Sequence, residues 1–342
     1  MTAAGAPGAF GVNYAIRPHK FVDRRVFVEV ISRYSNFTSI DKHIYVGLGS
    51  FAMEDHKLMN LSFGISPLLS LEIDSDVLKR QQFNTPLSCI KPTRYSTNDF
   101  VVRRASILAE IGASSETNSI VWFDMTDATS LRANLDNFGQ LLSASQPGDL
   151  LRMTVDVDDK AFGRNNPDET YEDLQYRRFA TLQELIGAQL KPGATQDDIG
   201  EKLGIAKLVS HAFSLVAEEA FDHDARYKFE PISITTYADG HRMLSVTGVI
   251  VERDRSKECR ERMALADVPG GVNDWQELIE IQIPQLTVWE KLMIDRDVHS
   301  SDPSGLLRLI DFKLHETIPT IDLLGGYQKF QRFYPTFRHV LL

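Results

Sequence analysis

The sequence predicts an α/β fold in which a mostly parallel, doubly wound sheet ends in an antiparallel hairpin. Two observations support this prediction. Over the first 160 residues, short apolar runs bounded by turn residues alternate with segments of helical periodicity, which is typical of parallel βα units. Further along, two β-rich runs flank Asp239 and Gly240, and an Asp-Gly pair in that position is a strong hairpin signal.

The first half of the chain alternates helices and strands. The segment 22–33 is helical because Val26, Val30 and Ile31 recur on one face. Short apolar runs that end at turn residues predict the strands, and Asp74 or Ser75 can cap the helix after the second strand. The strands are predicted at 43–50, 68–74, 87–95, 119–125 and 149–157, and the remaining helices at 51–60, 75–83, 98–111 and 131–142.

The second half adds other elements. A polar loop is expected at 158–172, followed by two helices at 173–190 and 197–221, of which the second opens on a capping box. The hairpin follows, then a charged, Gly-rich loop at 253–273 and a mainly helical end. We therefore predict a Rossmann-like core at 14–160 plus 227–252, a helical cap or insertion at 161–226, and a loop with a helical segment at 253–342.

Composition limits the class of protein. The 342 residues are 43% hydrophobic and 25% charged, which is typical of a soluble globular protein. The net charge of −10 does not favour nucleic acid as a partner. Two distant cysteines exclude a disulfide framework, and no metal site is predicted. Without an apolar stretch of ~18 residues, a membrane span is not expected, and a cytoplasmic location is predicted.

A glycine turn follows the first strand. Gly47, Gly49 and Ser50 could let a cofactor approach the backbone at a helix N-terminus. The pattern is neither GxGxxG nor a phosphate-binding loop, and a tight β-to-α turn explains it equally well.

Acidic side chains follow two further strands. Glu72 could accept both hydroxyls of a ribose, in methyltransferases and NAD enzymes alike, or could be a solvated charge. Asp124 ends the fourth strand, where it could hold a cofactor, orient a substrate or act as a base. Asp127 is either a substrate-binding residue or a helix cap.

A basic cluster precedes the first helix. Arg17, His19 and Lys20 could bind a phosphate or carboxylate, or fold over the cofactor. The alternative is a solvated basic face that pairs with acidic neighbours. A further candidate feature is a set of C-terminal aromatic residues, which are either core or anchors for a protein partner: Trp289, Phe330, Tyr334 and Phe337.

Several chemistries lack their motifs. The fourth strand is not followed by the Asn/Asp/Ser-Pro-Pro-aromatic turn of amino-group methylation, because Asp124-Met-Thr-Asp127 stands there. Neither Cys89 nor Cys259 lies in the Pro-Cys context of cytosine carbon methylation. The sequence also contains no Gly-x-Ser-x-Gly and no HExxH motif.

The order of five βα-type strands and a late hairpin is similar to that of class I S-adenosylmethionine-dependent methyltransferases. The chain also resembles a family of poorly characterised prokaryotic proteins described as O-methyltransferases or methyltransferase-like, some of which occur with mobile elements and defence genes. The resemblance covers 14–160 well and the remainder loosely. The runs that carry it are YAIRPHKFVDRR at 14–25, IYVGLGS at 44–50, EDHKLMN at 54–60, SLEID at 70–74, RQQFN at 80–84 and VWFDM at 121–125.

The resemblance implies that Gly47, Gly49, Glu72 and Asp124 form an S-adenosylmethionine pocket. Typical enzymes have an acid just before the glycine turn to hold the methionine amino group, whereas the stretch 44–46 has none here. Glu54 or Asp55 is a possible substitute.

We therefore predict a methyltransferase with an unknown acceptor. Asp124, with help from His19 and Lys20, would orient the acceptor or remove its proton, and Arg17 and Asp127 would bind it. The first alternative is an inactive methyltransferase-like scaffold or sensor within an antiviral defence complex. The second alternative is an NAD(P)-dependent oxidoreductase.

Overall fold

The strands form one eight-stranded sheet in the computed structural model, which describes residues 17–114 and 116–335. The strands are β1 Ile44–Gly47, β2 Leu68–Leu71, β3 Ile90–Thr93, β4 Ser119–Met125, β5 Leu150–Asp156, β6 Tyr227–Ala238, β7 Arg242–Glu252 and β8 Ile279–Ile281. Their order is β3-β2-β1-β4-β5-β7-β6-β8. Only β7 runs antiparallel to its neighbours.

This topology confirms the predicted fold. The chain first builds outward from β1 to β2 and β3 and then returns to β4 on the other side of β1, so a crevice opens between the ends of β1 and β4. The predicted hairpin is formed by β6 and β7, and Gly240 in its turn has a φ of +97°. The arrangement is that of class I methyltransferases, with β8 as an additional strand.

The helices lie on both faces of the sheet and in the C-terminal segment. They are α1 Pro18–Tyr34, α2 Glu54–Phe63, α3 Ser75–Asn84, α4 Thr97–Glu110, α5 Leu131–Ser143, α6 Asp159–Phe162, α7 Tyr171–Ile186, α8 Gln196–Gly200, α9 Gly204–Glu219, α10 Ser256–Met263, α11 Val288–Asp297, α12 Pro303–Leu307 and α13 Thr320–Phe330. None of them is both long and apolar enough to span a lipid bilayer.

Alternation along the strands creates two cores. In β4, Val121 and Phe123 join the core covered by α4, α5 and α9, whereas Ile120 and Trp122 join the core beneath α1 and α10. A third, smaller cluster links α11, α12 and α13. Because successive side chains alternate, Asp124 projects on the α1 face.

The segment after the hairpin differs from its prediction. The predicted loop at 253–273 is wrong over Ser256–Met263, because α10 forms there with Cys259 and Met263 fully buried. The predicted insertion at 161–226 contains α9, which packs its Val209 and Phe213 into the main core beside α5. The division of the chain into domains stays a prediction.

Candidate active site at the carboxyl ends of the strands

The predicted site residues come together at one edge of the sheet. The glycine turn follows β1, Glu72 follows β2, and Asp124 lies near the end of β4. Because β1 and β4 are neighbours and parallel, their carboxyl ends flank the crevice at which the strand order reverses. The first turn of α1 lies over the same edge, since Lys20 contacts Asp124.

The glycines of the turn lie in close contact with neighbouring side chains. A Cβ atom on Gly49 would lie 2.3 Å from Oγ of Ser70, and one on Gly47 would lie 2.7 Å from the hydroxyl of Tyr45. Ser50 and Met53 also have positive φ values of 40° and 49°, an uncommon conformation for residues with a side chain. The tight-turn interpretation accounts for both glycines, and their role in cofactor binding stays a prediction.

Lys20 and Asp124 form a buried ion pair. The Nζ atom of Lys20 lies 2.5 Å from Oδ2 of Asp124, and the Lys20 residue is only 2% exposed. The other oxygen, Oδ1 of Asp124, is buried and has no hydrogen-bond partner among the described residues. A buried carboxylate oxygen without a partner is costly unless a ligand or water supplies a donor. The site therefore offers one strong acceptor at the crevice.

A second ion pair connects α1 to the start of α2. Arg24 donates to both carboxylate oxygens of Asp55, through Nε at 2.6 Å and Nη2 at 3.2 Å. Burial alone would raise the pKa of Asp55, but the charge and hydrogen bonds of Arg24 hold it below its ordinary value. Asp55 is thus engaged as an anion by Arg24, and Glu54 pairs with Lys57.

A third pair is buried under the middle of α1. Asp23 and Arg152 are both inaccessible to solvent and form a salt bridge between α1 and β5. Asp23 also accepts from Thr235 at 2.7 Å, and the Arg152 guanidinium lies 4.7 Å from the ring centre of Phe27. The local sequence pattern does not indicate this pair.

The hairpin turn caps α1. Oδ1 of Asp239 accepts from Nδ1 of His19 at 2.8 Å, and Oδ2 accepts from the backbone N–H of Lys20 at 2.8 Å. The N-cap residue of α1, Arg17, makes no side-chain cap of its own, and the first turn contains no acid. A carboxylate from another element therefore occupies the positive end of the helix.

We expect Asp239 to stabilise the fold at neutral pH and to lose that effect in acid. Burial would raise its pKa, but the hydrogen bonds from His19 and Lys20 lower it below the ordinary value of 3.8. Its contribution is therefore complete above that value and is lost as the pH falls through the lower, folded pKa. Urea unfolding of wild type and Asp239→Asn between pH 6 and pH 3 measures this effect. The stability difference should shrink in acid, and a constant difference would contradict the assignment.

The two other predicted acids make local contacts. Glu72 is half-buried, which raises its pKa, and its Oε1 accepts from the backbone N–H of Asp74 at 2.9 Å. Asp74 caps α3, as predicted. Asp127 caps a short 3-10 turn by accepting from the backbone and hydroxyl of Thr129, so the helix-cap alternative describes its contacts, and its substrate role stays a prediction.

The C-terminal aromatic residues lie in different environments. Trp289 on α11 is 71% exposed, whereas Phe330 is fully buried. The hydroxyl of Tyr334 donates to the carbonyl of Pro284 at 3.0 Å. Phe337 lies outside the described residues, as does Tyr14 of the N-terminal run. In the two described ranges, no group of three or more His, Cys, Asp or Glu side chains could hold a metal ion.

The topology and the acids at the crevice define a protein with the class I methyltransferase fold. The chain belongs to the family described as "Putative O-methyltransferase", whose model matches residues 12–342. Among curated proteins, none matches the chain.

Solved structures with similar folds include three methyltransferase or S-adenosyl-ligand complexes. The chain is 10% identical to LepI C52A in complex with SAH and a substrate analogue, covering 64% of this chain and 46% of LepI, with a TM-score of 0.34. Trm1 from Pyrococcus horikoshii with S-adenosyl-L-methionine is 10% identical, with coverages of 71% and 58% and a TM-score of 0.42. The plantazolicin methyltransferase BpumL is 8% identical, with coverages of 67% and 85% and a TM-score of 0.37. The chain thus spans about half the length of the LepI and Trm1 chains.

Proposed function

We propose that this protein transfers a methyl group from S-adenosylmethionine to an oxygen atom of an acceptor. Family membership supports the reaction class. The observation that carries the proposal is the Lys20–Asp124 pair beside the crevice, with Oδ1 of Asp124 buried and without a partner among the described residues. A buried acceptor at the end of β4 suits a cofactor that brings polar N–H or O–H groups.

The residues present fit this cofactor. Glu72 lies after β2 with its Oε1 committed to a backbone N–H, which leaves its other oxygen for a ribose hydroxyl. Asp124 would accept from a polar group of the cofactor and thereby take over from the acid that is missing at 44–46. When bound, S-adenosylmethionine supplies an electrophilic methyl group on a positively charged sulfur.

The chain itself contributes a fixed position for the groups around the crevice. Three ion pairs attach α1 to β4, α2 and β5, so the helix over the crevice is held in one place. Holding two reactants in line supplies a large part of the rate in direct displacements, because little further reorganisation is needed. Lys20 is fixed in this arrangement and would hold the carboxylate of Asp124 in place for the cofactor.

Calorimetry tests the proposal. We expect S-adenosylmethionine and S-adenosylhomocysteine to bind and NAD not to bind. Glu72→Ala should weaken binding about tenfold or more, because a hydrogen bond from a ribose hydroxyl to a charged group is lost. Asp76→Ala is the matched control, since Asp76 lies four residues away with a side chain that is 74% exposed. Binding of NAD alone would favour the oxidoreductase alternative. If none of the three compounds binds, both the methyltransferase proposal and the oxidoreductase alternative are overturned.

One observation favours the scaffold alternative. The helix α11 exposes Val288, Trp289 and Leu292, by 76%, 71% and 56%, and a contiguous exposed apolar face often binds a partner. Under this alternative, Trp289→Ala would release a co-purifying protein while binding of S-adenosylhomocysteine is unchanged. The association with defence genes and the cytoplasmic location stay predictions from the sequence.

A further inference from the structure

A cavity of about 760 Å³ opens at the same edge of the sheet, beyond the crevice. Its walls are the start of α1, the turn between β6 and β7, the chain after β8, and the loop before α13. His19 lines this cavity, whereas the next residue, Lys20, pairs with Asp124. The first turn of α1 therefore borders both the cavity and the crevice.

The charges in the cavity wall balance. Two arginines, Arg17 and Arg242, face two acids, Asp239 and Glu280. Arg242 donates to Glu280 at 3.0 Å, and Asp239 accepts from His19. The formal charges of these two arginines and two acids therefore cancel. The other members of the wall are mainly apolar: Pro18, Ile281, Ile283, Pro284, Leu314 and Ile318. A pocket of this size and polarity suits a neutral, mainly apolar small molecule.

His19 is oriented towards the wall of this cavity. Its Nδ1 donates to Asp239 at 2.8 Å, in the tautomer that leaves a lone pair on Nε2. The contact of Nε2 in the structure is with the backbone N–H of Ile283 at 3.4 Å, near the outer limit of a hydrogen bond. Ile283 itself lines the cavity. An imidazole oriented by a carboxylate, with its second nitrogen at a pocket wall, is arranged as a general base.

We propose that this cavity binds the methyl acceptor, a neutral and mainly apolar molecule with an acidic hydroxyl group, and that His19 removes the hydroxyl proton while Asp239 positions His19. The inference rests on the proposed function. The hydroxyl oxygen forms a bond to the methyl carbon as the carbon–sulfur bond breaks and its electron pair stays on sulfur. The proton goes to Nε2 of His19, and Asp239 stabilises the resulting imidazolium.

Acidity narrows the acceptor to a phenol or an enol. An ordinary imidazole has a pKa of about 6.5 and a phenol of about 10, so proton transfer between them is moderately unfavourable and can accompany methyl transfer. An aliphatic hydroxyl is as weakly acidic as water, whose pKa is about 16. The dyad alone would rarely ionise such a group.

The binding experiment uses 2-naphthol as the probe, in the presence of S-adenosylhomocysteine, with 6-hydroxy-2-naphthoate as the charged comparison. We expect 2-naphthol to bind at least about tenfold more tightly, because the naphthoate would bury an additional carboxylate against a wall whose formal charges already cancel. Ile318→Trp, which fills the cavity, should abolish naphthol binding. Ile321→Trp is the control, because Ile321 lies three residues further on, is partly exposed and does not line the cavity.

Affinity for S-adenosylhomocysteine is measured on every variant, which separates the two proposals. If S-adenosylhomocysteine does not bind to the wild type, the proposed function fails. If it binds but 2-naphthol does not, or if Ile318→Trp and Ile321→Trp bind 2-naphthol equally, the acceptor site is wrong.

Turnover tests the roles of His19 and Asp239. Formation of 2-methoxynaphthalene should fall about 100-fold or more in kcat for His19→Gln, the usual range for loss of a general base. Asp239→Asn should lower kcat with KM and the affinity for S-adenosylhomocysteine unchanged. A rise in KM without a change in kcat, in either variant, would reduce the pair to a binding or structural role and overturn the assignment.

Discussion

Replacing Arg152 by alanine should lower the free energy of unfolding by about 3–5 kcal/mol, because Asp23 would remain buried without its counter-charge. Both side chains are fully inaccessible, and the guanidinium also donates to Thr247 at 3.0 Å. Urea unfolding followed by circular dichroism measures the loss.

Two further variants make this result interpretable. Arg226→Ala removes an exposed ion pair between Arg226 and Asp224, in which the arginine side chain is 75% exposed. This substitution should lower the free energy of unfolding far less than Arg152→Ala. The double variant Asp23→Leu/Arg152→Met replaces the pair by apolar groups and should recover most of the stability. Equal losses for Arg152→Ala and Arg226→Ala would show that the buried pair does not hold α1 on the sheet.

The second large effect is expected at Gly326 in α13. A Cβ atom there would lie 1.8 Å from the carbonyl oxygen of Gln282, so Gly326→Ala must displace backbone. Overpacking of this kind costs about 1–3 kcal/mol or more. Because Gln282 lines the proposed acceptor cavity, binding of 2-naphthol should weaken while binding of S-adenosylhomocysteine stays the same.

The neighbouring glycine is a matched control. A Cβ atom on Gly325 would meet only Cγ of Pro303 at 3.7 Å, an ordinary contact. Gly325→Ala should therefore be neutral or stabilising by up to about 1 kcal/mol, the helix preference of alanine over glycine. If both substitutions have the same thermal midpoint, the close approach of α13 to Gln282 is not present in solution.

Most strands could be predicted from the sequence because they are buried on both faces. The strand β4 runs over Ser119–Met125, the predicted bounds, since apolar residues fill both of its faces up to Asp124. The strand β2 ends three residues before its predicted end. Ile73 is exposed and Asp74 caps α3. The last residues of the predicted strand therefore belong to the turn between β2 and α3.

The burial of charges on α1 could not be predicted from local pattern. Lys20, Asp23, Arg24 and Phe27 have the spacing of a helix face, and the three charged residues would ordinarily be assigned to solvent. The three charged residues are buried because each pairs with a residue from a distant segment. Their partners are, in the same order, Asp124, Arg152 and Asp55. The sequence therefore indicated His19 and Lys20 as candidate site residues but gave no signal for Asp239, which contacts them from the hairpin.

Two elements after the hairpin were missed for the same reason. The helix α10 is held by Cys259 and Met263 among mainly charged neighbours, and β8 has only three residues. Neither is long or apolar enough to stand out locally. The strand β8 is stabilised by its pairing with β6, and α10 by its packing on α1 and β7.

The position of these elements has a consequence for intermolecular contacts. The outer edge of β6 would otherwise expose free backbone groups to strands of other molecules, which is a common origin of aggregation. Here β8 pairs with Thr235–Tyr237, the Val272 N–H donates to the Ile232 carbonyl, and Arg260 donates to the Pro231 carbonyl. At the opposite edge, Pro92 interrupts the donors of β3. The segment after the hairpin thus covers the edge of β6 and forms one wall of the proposed acceptor site, so changes that loosen this wall also expose that edge.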